Sequence, residues 1–168
     1  MQAARANGAA APDVGFLFRH PAHFIALGFG AGLAPVAPGT FGTLIAIPIA
    51  VLLRAHASDA IFVAAIVALA LIGVWAAQVT GRDLGASDHG AIVWDEVVGF
   101  LLVLYFVGDD GVRIAFAFLL FRIFDIVKPP PIRQIDAALE SGVGVMVDDL
   151  LAAGYTLIVL ALWQRAFG

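Results

Sequence analysis

The sequence predicts an all-α membrane protein: a small polytopic helical bundle of about four to five apolar helices, some short or kinked, with a polar site at one membrane face. Three observations predict it. First, 62% of the 168 residues are hydrophobic and 13% are charged, with a mean hydropathy of +0.99. A soluble domain is about half apolar and about a quarter charged, so a bilayer is the natural solvent for this excess. Second, the apolar residues fall into five runs of helical length. Third, most of the carboxylates crowd into the interval between residues 83 and 149.

The first run, 40–53, is interrupted by Pro48, which removes a backbone hydrogen bond and favours a kink. The second, 60–79, carries no charge. At about 1.5 Å per residue it is just long enough to cross a hydrocarbon core, and it is the clearest span. The third, 91–107, holds Asp95 and Glu96 near its start, and the fourth, 112–127, contains Arg113, Arg122 and Asp125. The fifth, 150–163, follows directly on Asp148 and Asp149. Runs shorter than a full span are read as tilted, re-entrant or extended by their charged ends. Gly108-Asp109-Asp110-Gly111 reads as a tight turn, and Lys128-Pro129-Pro130-Pro131 stops the fourth helix. Residues 1–15 lack a sustained apolar core, so they read as a flexible tail rather than a cleaved signal. Residues 16–168 read as one domain.

Charge and composition exclude several classes. A net charge of -4 argues against nucleic-acid binding. The absence of cysteine removes disulfides, thiolate metal sites and cysteine nucleophiles. Five crossings would place the N-terminus, the 80–90 loop and the 128–147 segment on one side, with Arg5, Arg19, Arg82, Arg122, Lys128 and Arg133. The other side would hold Arg54, Arg113 and Arg165. The positive-inside rule then makes the first side cytoplasmic. Asp83, Asp88, Asp95, Glu96, Asp125, Asp136, Glu140, Asp148 and Asp149 would meet there, with Asp109 and Asp110 in the opposite turn. Carboxylates at membrane depth are costly without partners, so their convergence calls for cations.

Each cluster of polar residues has a plain reading and a chemical one. Asp88-His89-Gly90 followed by Trp94-Asp95-Glu96 brings a loop acid near two acids at a helix start. Adjacent helical residues point about 100° apart. Asp95 and Glu96 are therefore expected to face different ways, one on a metal and one orienting a water or another ligand. Alternatively these acids suit the helix macrodipole, and Asp88 caps the helix. His89 reads as structural, since no second histidine lies at helical spacing. Arg122, Asp125 and Lys128 recur every third residue along one helical face. They form either an internal ion-pair ladder or a site in which Asp125 serves a metal while the two cations face an anion. Arg133 would reach the same anion or lipid headgroups.

Gly142-Val143-Gly144-Val145-Met146-Val147-Asp148-Asp149 pairs a glycine-rich approach with two acids opening the fifth helix. Such oxygen donors suit Mg²⁺ or Mn²⁺ over Zn²⁺, or they cap a helix. Asp136 and Glu140 read as solvated. The glycines of Gly28-Phe29-Gly30-Ala31-Gly32 and of Pro38-Gly39-Thr40-Phe41-Gly42-Thr43 either expose N–H groups to an anion or permit close helix packing. A Walker A loop is excluded, because its Gly-Lys-[Ser/Thr] ending is absent.

Taken together, these motifs resemble the phosphatidylglycerophosphatase A family of bacterial lipid phosphatases. The resemblance runs over residues 28–153. Its carriers are the 38–43 motif, Asp88-His89-Gly90 with Trp94-Asp95-Glu96, Phe121-Arg122-Ile123-Phe124-Asp125 running into Lys128-Pro129-Pro130-Pro131-Ile132-Arg133, and the 142–149 motif. Thr43 stands where many members are expected to carry serine; both offer a hydroxyl. The resemblance implies Mg²⁺-dependent hydrolysis of the terminal phosphate monoester of phosphatidylglycerophosphate, a step of phospholipid synthesis at the cytoplasmic (inner) membrane. Asp88, Asp95, Glu96, Asp148 and Asp149 are the expected metal ligands. Asp95, Glu96, Asp125, Lys128 and Asp149 are the expected catalytic residues. Gly39, Thr40, Thr43, Arg122, Lys128 and Arg133 are expected to bind substrate.

The expected chemistry is attack by a metal-activated water with one acid as base, an aspartyl-phosphate intermediate being the second route. The alternative of another class is a cation-coupled transporter or channel component. It predicts charges spread through the bilayer depth rather than gathered at helix ends on one side.

Overall fold

A computed structural model describes residues 11–139 and 141–167, without the side chains of residues 136 and 137. Residues 1–10 of the expected tail, the expected solvated side chain of Asp136, and Glu140 lie outside the described residues. Among those described, all regular structure is helical. The order is α1 (Val14–Leu17), α2 (Pro21–Ala26), a 3-10 segment (Gly28–Leu33), α3 (Pro38–His56), α4 (Asp59–Leu84), α5 (Trp94–Val107), α6 (Gly111–Val127), α7 (Ile132–Ala138) and α8 (Gly142–Phe167).

The five apolar runs become α3, α4, α5, α6 and α8. Local chemistry sets several of their ends. Ser58 caps α4, its hydroxyl accepting the Ile61 N–H at 3.4 Å. Gly85, at φ 74°, ends α4 in the left-handed conformation that glycine adopts freely. Asp110 caps α6 by accepting the Arg113 N–H at 2.7 Å. The triple proline ends α6 at Val127, as expected, but Pro48 does not interrupt α3.

Among the described residues, α3, α4 and α8 are long and apolar enough to cross a membrane. The other two are shorter. With 14 and 17 residues, α5 and α6 extend about 21 and 26 Å, against a hydrocarbon core of about 30 Å. Helix α5 nevertheless forms the centre of the bundle. Its Val97, Val98, Phe100, Leu101, Val103 and Leu104 are all buried, with its most extensive packing on α8 and α3. Neighbouring helices cover most of its surface.

One boundary differs from expectation in a way that matters. Helix α8 starts at Gly142, eight residues before the apolar run, so Asp148 and Asp149 lie inside the helix instead of opening it. The glycine-rich approach is helical because it packs tightly. A Cβ on Gly142 would run into the Val74 carbonyl of α4, and the Gly142 N–H donates to Gln78 Oε1 at 2.9 Å. Close approach through small residues is how helices associate where lipid removes the hydrophobic driving force.

Candidate active site

Three carboxylates meet at one end of the bundle. Asp95 and Glu96 sit in the first turn of α5, and Asp149 lies on α8. Each offers one oxygen, and these oxygens all lie within 4.8 Å of one another. Asp95 and Glu96 therefore converge, against the expectation that they face apart. The Cα directions differ, but the extra methylene of glutamate lets its carboxylate swing back. Gly99, one turn beyond Asp95, explains how α8 comes so near. A Cβ there would stand 3.0 Å from the Asp149 carbonyl oxygen and 3.1 Å from the Phe121 ring.

Asp95 and Asp149 are buried and Glu96 nearly so. Asp95 Oδ1, Glu96 Oε2 and Asp149 Oδ2 have no hydrogen-bond partner among the described residues. Buried polar atoms are rarely left unsatisfied, and ionised ones are costly without a counter-charge. Three clustered carboxylates, each with an unsatisfied buried oxygen, fit a hard divalent cation of the Mg²⁺ kind.

Two cations border the cluster. Arg122 Nη1 lies 2.6 Å from Asp125 Oδ2, one turn along α6, and 3.4 Å from Glu96 Oε1. It also donates to Thr43 Oγ1 at 3.5 Å, while that hydroxyl donates to the Gly39 carbonyl at 2.8 Å. Arg122 Nε is buried and has no partner among the described residues. The Pro38–Thr43 motif thus opens α3, packed directly on this ion pair. A Cβ on Gly39 would overlap Glu96 Oε1 and stand 3.0 Å from Arg122 Nη1.

Lys128 does not extend the helical face of Arg122 and Asp125. It lies just past α6 in a left-handed conformation, φ 46°, and its ammonium pairs with Asp148. The Pro130 carbonyl beside it accepts the Tyr155 hydroxyl at 2.8 Å.

The remaining expected site residues are more peripheral. Thr40 is half-buried on α3, and Arg133 is exposed on α7. Asp88 is half-buried in the loop before α5 and stands outside the three-acid group. His89 Nδ1 accepts the Ala91 N–H at 3.2 Å. Burial pushes its imidazole below the ordinary value, against the opposing pull of Asp88, which suits a neutral ring closing a loop. Two glycines of the 3-10 segment do not present free N–H groups: Gly30 and Gly32 both donate to the Leu27 carbonyl, at 3.0 and 2.9 Å. Their part is packing, since a Cβ on Gly32 would overlap the Ala91 carbonyl.

Three features were not anticipated: Gly99, Tyr155, and the buried His23, which bonds Asp83 at 2.8 Å and the Phe16 carbonyl at 3.0 Å. The signal for Gly99 was its position one turn after an intramembrane acid. The other two are contacts between distant segments, with no local signal.

The arrangement, clustered acids with flanking cations, can hold a divalent ion and a phosphoryl group together. Comparison with known proteins identifies the family. Residues 24–164 match the family model described as "Phosphatidylglycerophosphatase A". A phosphatidylglycerophosphatase A of Haemophilus influenzae is 45% identical over 142 residues, 84% of this chain and 87% of the relative. One of Escherichia coli is 40% identical over 134 residues, 79% of this chain and 77% of the relative. A putative phosphatidylinositol-3-phosphatase of Bacteroides thetaiotaomicron is 39% identical over 151 residues, 86% of this chain and 94% of the relative. No solved structure matches. With the matched span enclosing the cluster and both of its cations, the chain belongs to the phosphatidylglycerophosphatase A family.

Proposed function

We propose that this protein hydrolyses the terminal phosphate monoester of phosphatidylglycerophosphate in a Mg²⁺-dependent reaction, giving phosphatidylglycerol and inorganic phosphate, with its site facing the cytoplasm at the inner membrane. One observation carries the reading. Among the described residues, buried acceptors on Asp95, Glu96 and Asp149 without partners stand in the same site as a buried donor without one, Arg122 Nε. Acceptors without donors call for a cation, and a donor without an acceptor calls for an anion. A phosphate bound beside a divalent ion supplies both. The names of the two phosphatidylglycerophosphatase relatives direct the choice of lipid.

Asp95, Glu96 and Asp149 would hold the ion. Bound there, Mg²⁺ would offset phosphate charge and acidify an attacking water. Asp125 and Thr43 fix the Arg122 guanidinium, leaving Nε–H for a phosphate oxygen. Lys128, beside Asp148, adds a second positive charge at the mouth. As the bond from water oxygen to phosphorus forms, the bond from phosphorus to the glycerol oxygen breaks. A cluster carboxylate takes the water proton, and the departing glycerol oxygen is protonated from solvent. Phosphate monoesters hydrolyse very slowly unaided, so charge neutralisation and positioning are the main contributions required.

Phosphate release from phosphatidylglycerophosphate in detergent tests the reading. Release with Mg²⁺ that stops on chelation is expected. No Mg²⁺-dependent release would turn the assignment toward ion transport. Phosphatidylinositol 3-phosphate, the lipid class in the third relative's name, run in parallel, measures headgroup selectivity.

A further inference from the structure

A groove of about 570 Å³ lies between the 3-10 segment and α3, outside the carboxylate cluster. Ala31 and Leu33 line one wall, and Phe41, Leu44, Ile45 and Pro48 line the other. Ligand pockets typically measure roughly 300–1,000 Å³, and no charged side chain lines this one.

The groove is joined to the site through both of its walls. Phe41, Leu44, Ile45 and Pro48 follow an i, i+3, i+4, i+7 pattern, one face of α3. Gly39, Gly42, Thr43 and Ala46 follow the same pattern two residues earlier and are buried. That second face meets Arg122 and Glu96. Groove and cluster therefore occupy opposite sides of one helix, about 10 Å across. The other wall leans on the residues just before Asp95. Phe29 packs edge-on against Trp94 at 5.3 Å, and a Cβ on Gly28 would stand 2.8 Å from Val93 Cγ2. Gly28, Phe29 and Gly30 all have positive φ, at 54°, 57° and 109°. This conformation is uncommon for phenylalanine, so the wall is held in a specific shape.

We propose that the groove binds an acyl chain of the phospholipid substrate, with the headgroup crossing the first turn of α3 to bring its terminal phosphate to the carboxylates. The proposal rests on the lipid phosphatase reading above. Phosphatidylglycerophosphate carries a glycerol and a second phosphate between its acyl glycerol and its terminal phosphate, a linker suited to that crossing. A hydrocarbon chain suits a lining of apolar side chains on a helix apolar enough to span a membrane. A peptide would bring backbone polar groups that the lining cannot satisfy in lipid.

The test uses a diacyl phosphatidylglycerophosphate with a photoreactive diazirine in mid-chain, and the full-length protein in bilayer nanodiscs. Label on residues 41–48 and 30–34 is expected, with loss of that label in Leu44→Trp and in Ala31→Phe. In both variants the KM for the long-chain lipid should rise about 10-fold relative to that for a short-chain analogue. Label spread evenly around the bundle, or an unchanged KM ratio in both variants, would overturn the groove. Groove label without phosphate release from the wild type would uphold the groove and remove the phosphatase reading. Release without groove label would do the reverse.

Discussion

The two ends of the bundle handle charge in opposite ways. At the end formed by the α5–α6 turn, Arg54 meets Asp109 at 2.5 Å, and the Asp109 side chain is 78% exposed. Arg54 also donates to the Leu104 carbonyl. One cation meets one acid within reach of water, an arrangement worth little to stability. At the other end Asp95, Glu96, Asp125, Asp148 and Asp149 share Arg122 and Lys128, and Asp95, Glu96 and Asp149 each keep a buried oxygen without a partner among the described residues. Burying surplus charge works against folding. The balanced end joins helices, and the unbalanced end is where the proposed function places a cation and an anion from outside.

Breaking the unbalanced end should have the largest effect. Asp95→Asn and Asp149→Asn are expected to lower phosphate release at least about 100-fold, since outer partners of metal ligands alone cost about 10–100-fold. Thermal unfolding in detergent should stay level or improve, because each change removes buried negative charge. Arg122→Ala acts the other way. It leaves Glu96 and Asp125 without their shared cation, so unfolding measurements should show a loss of about 3–5 kcal/mol along with the activity. Gly39→Ala probes the geometry more gently. Its Cβ would displace Glu96, and kcat should fall about 10-fold with little change in the unfolding temperature. The smallest effect is expected at the balanced end. Asp109→Asn should change stability by no more than about 1 kcal/mol and leave phosphate release at the wild-type rate.

Much of this contrast is legible in the sequence. Runs of apolar residues locate α3 to α6 and α8, because helix length and hydropathy are local properties. Likewise Lys128-Pro129-Pro130-Pro131 stops α6, because proline acts on its own backbone. The gathering of Asp95, Glu96, Asp125, Asp148 and Asp149 at one end follows from antiparallel helices joined by short connections.

What the sequence conceals is set by packing between distant segments. Asp148 and Asp149 read as a helix start, because nothing local reveals that Gly142 docks on Val74 and Gln78 and begins α8 earlier. Lys128 reads as a third rung beside Arg122 and Asp125, until its left-handed backbone turns it toward Asp148. Helices α1 and α2 are short, and the bond of His23 to Asp83 joins residues 60 apart in the chain. The N–H groups of Gly30 and Gly32 end on the Leu27 carbonyl, which leaves packing rather than anion binding as the part these two glycines play.

The proposed function requires a divalent cation at the three-carboxylate cluster. Mn²⁺ binding to the detergent-solubilised protein, followed by electron paramagnetic resonance, tests it most directly. The wild type and Asp109→Asn should bind Mn²⁺ and release it to added Mg²⁺, whereas Asp95→Asn and Asp149→Asn should bind it at least about 10-fold more weakly. Equal binding by all four proteins would show that the cluster holds no divalent cation.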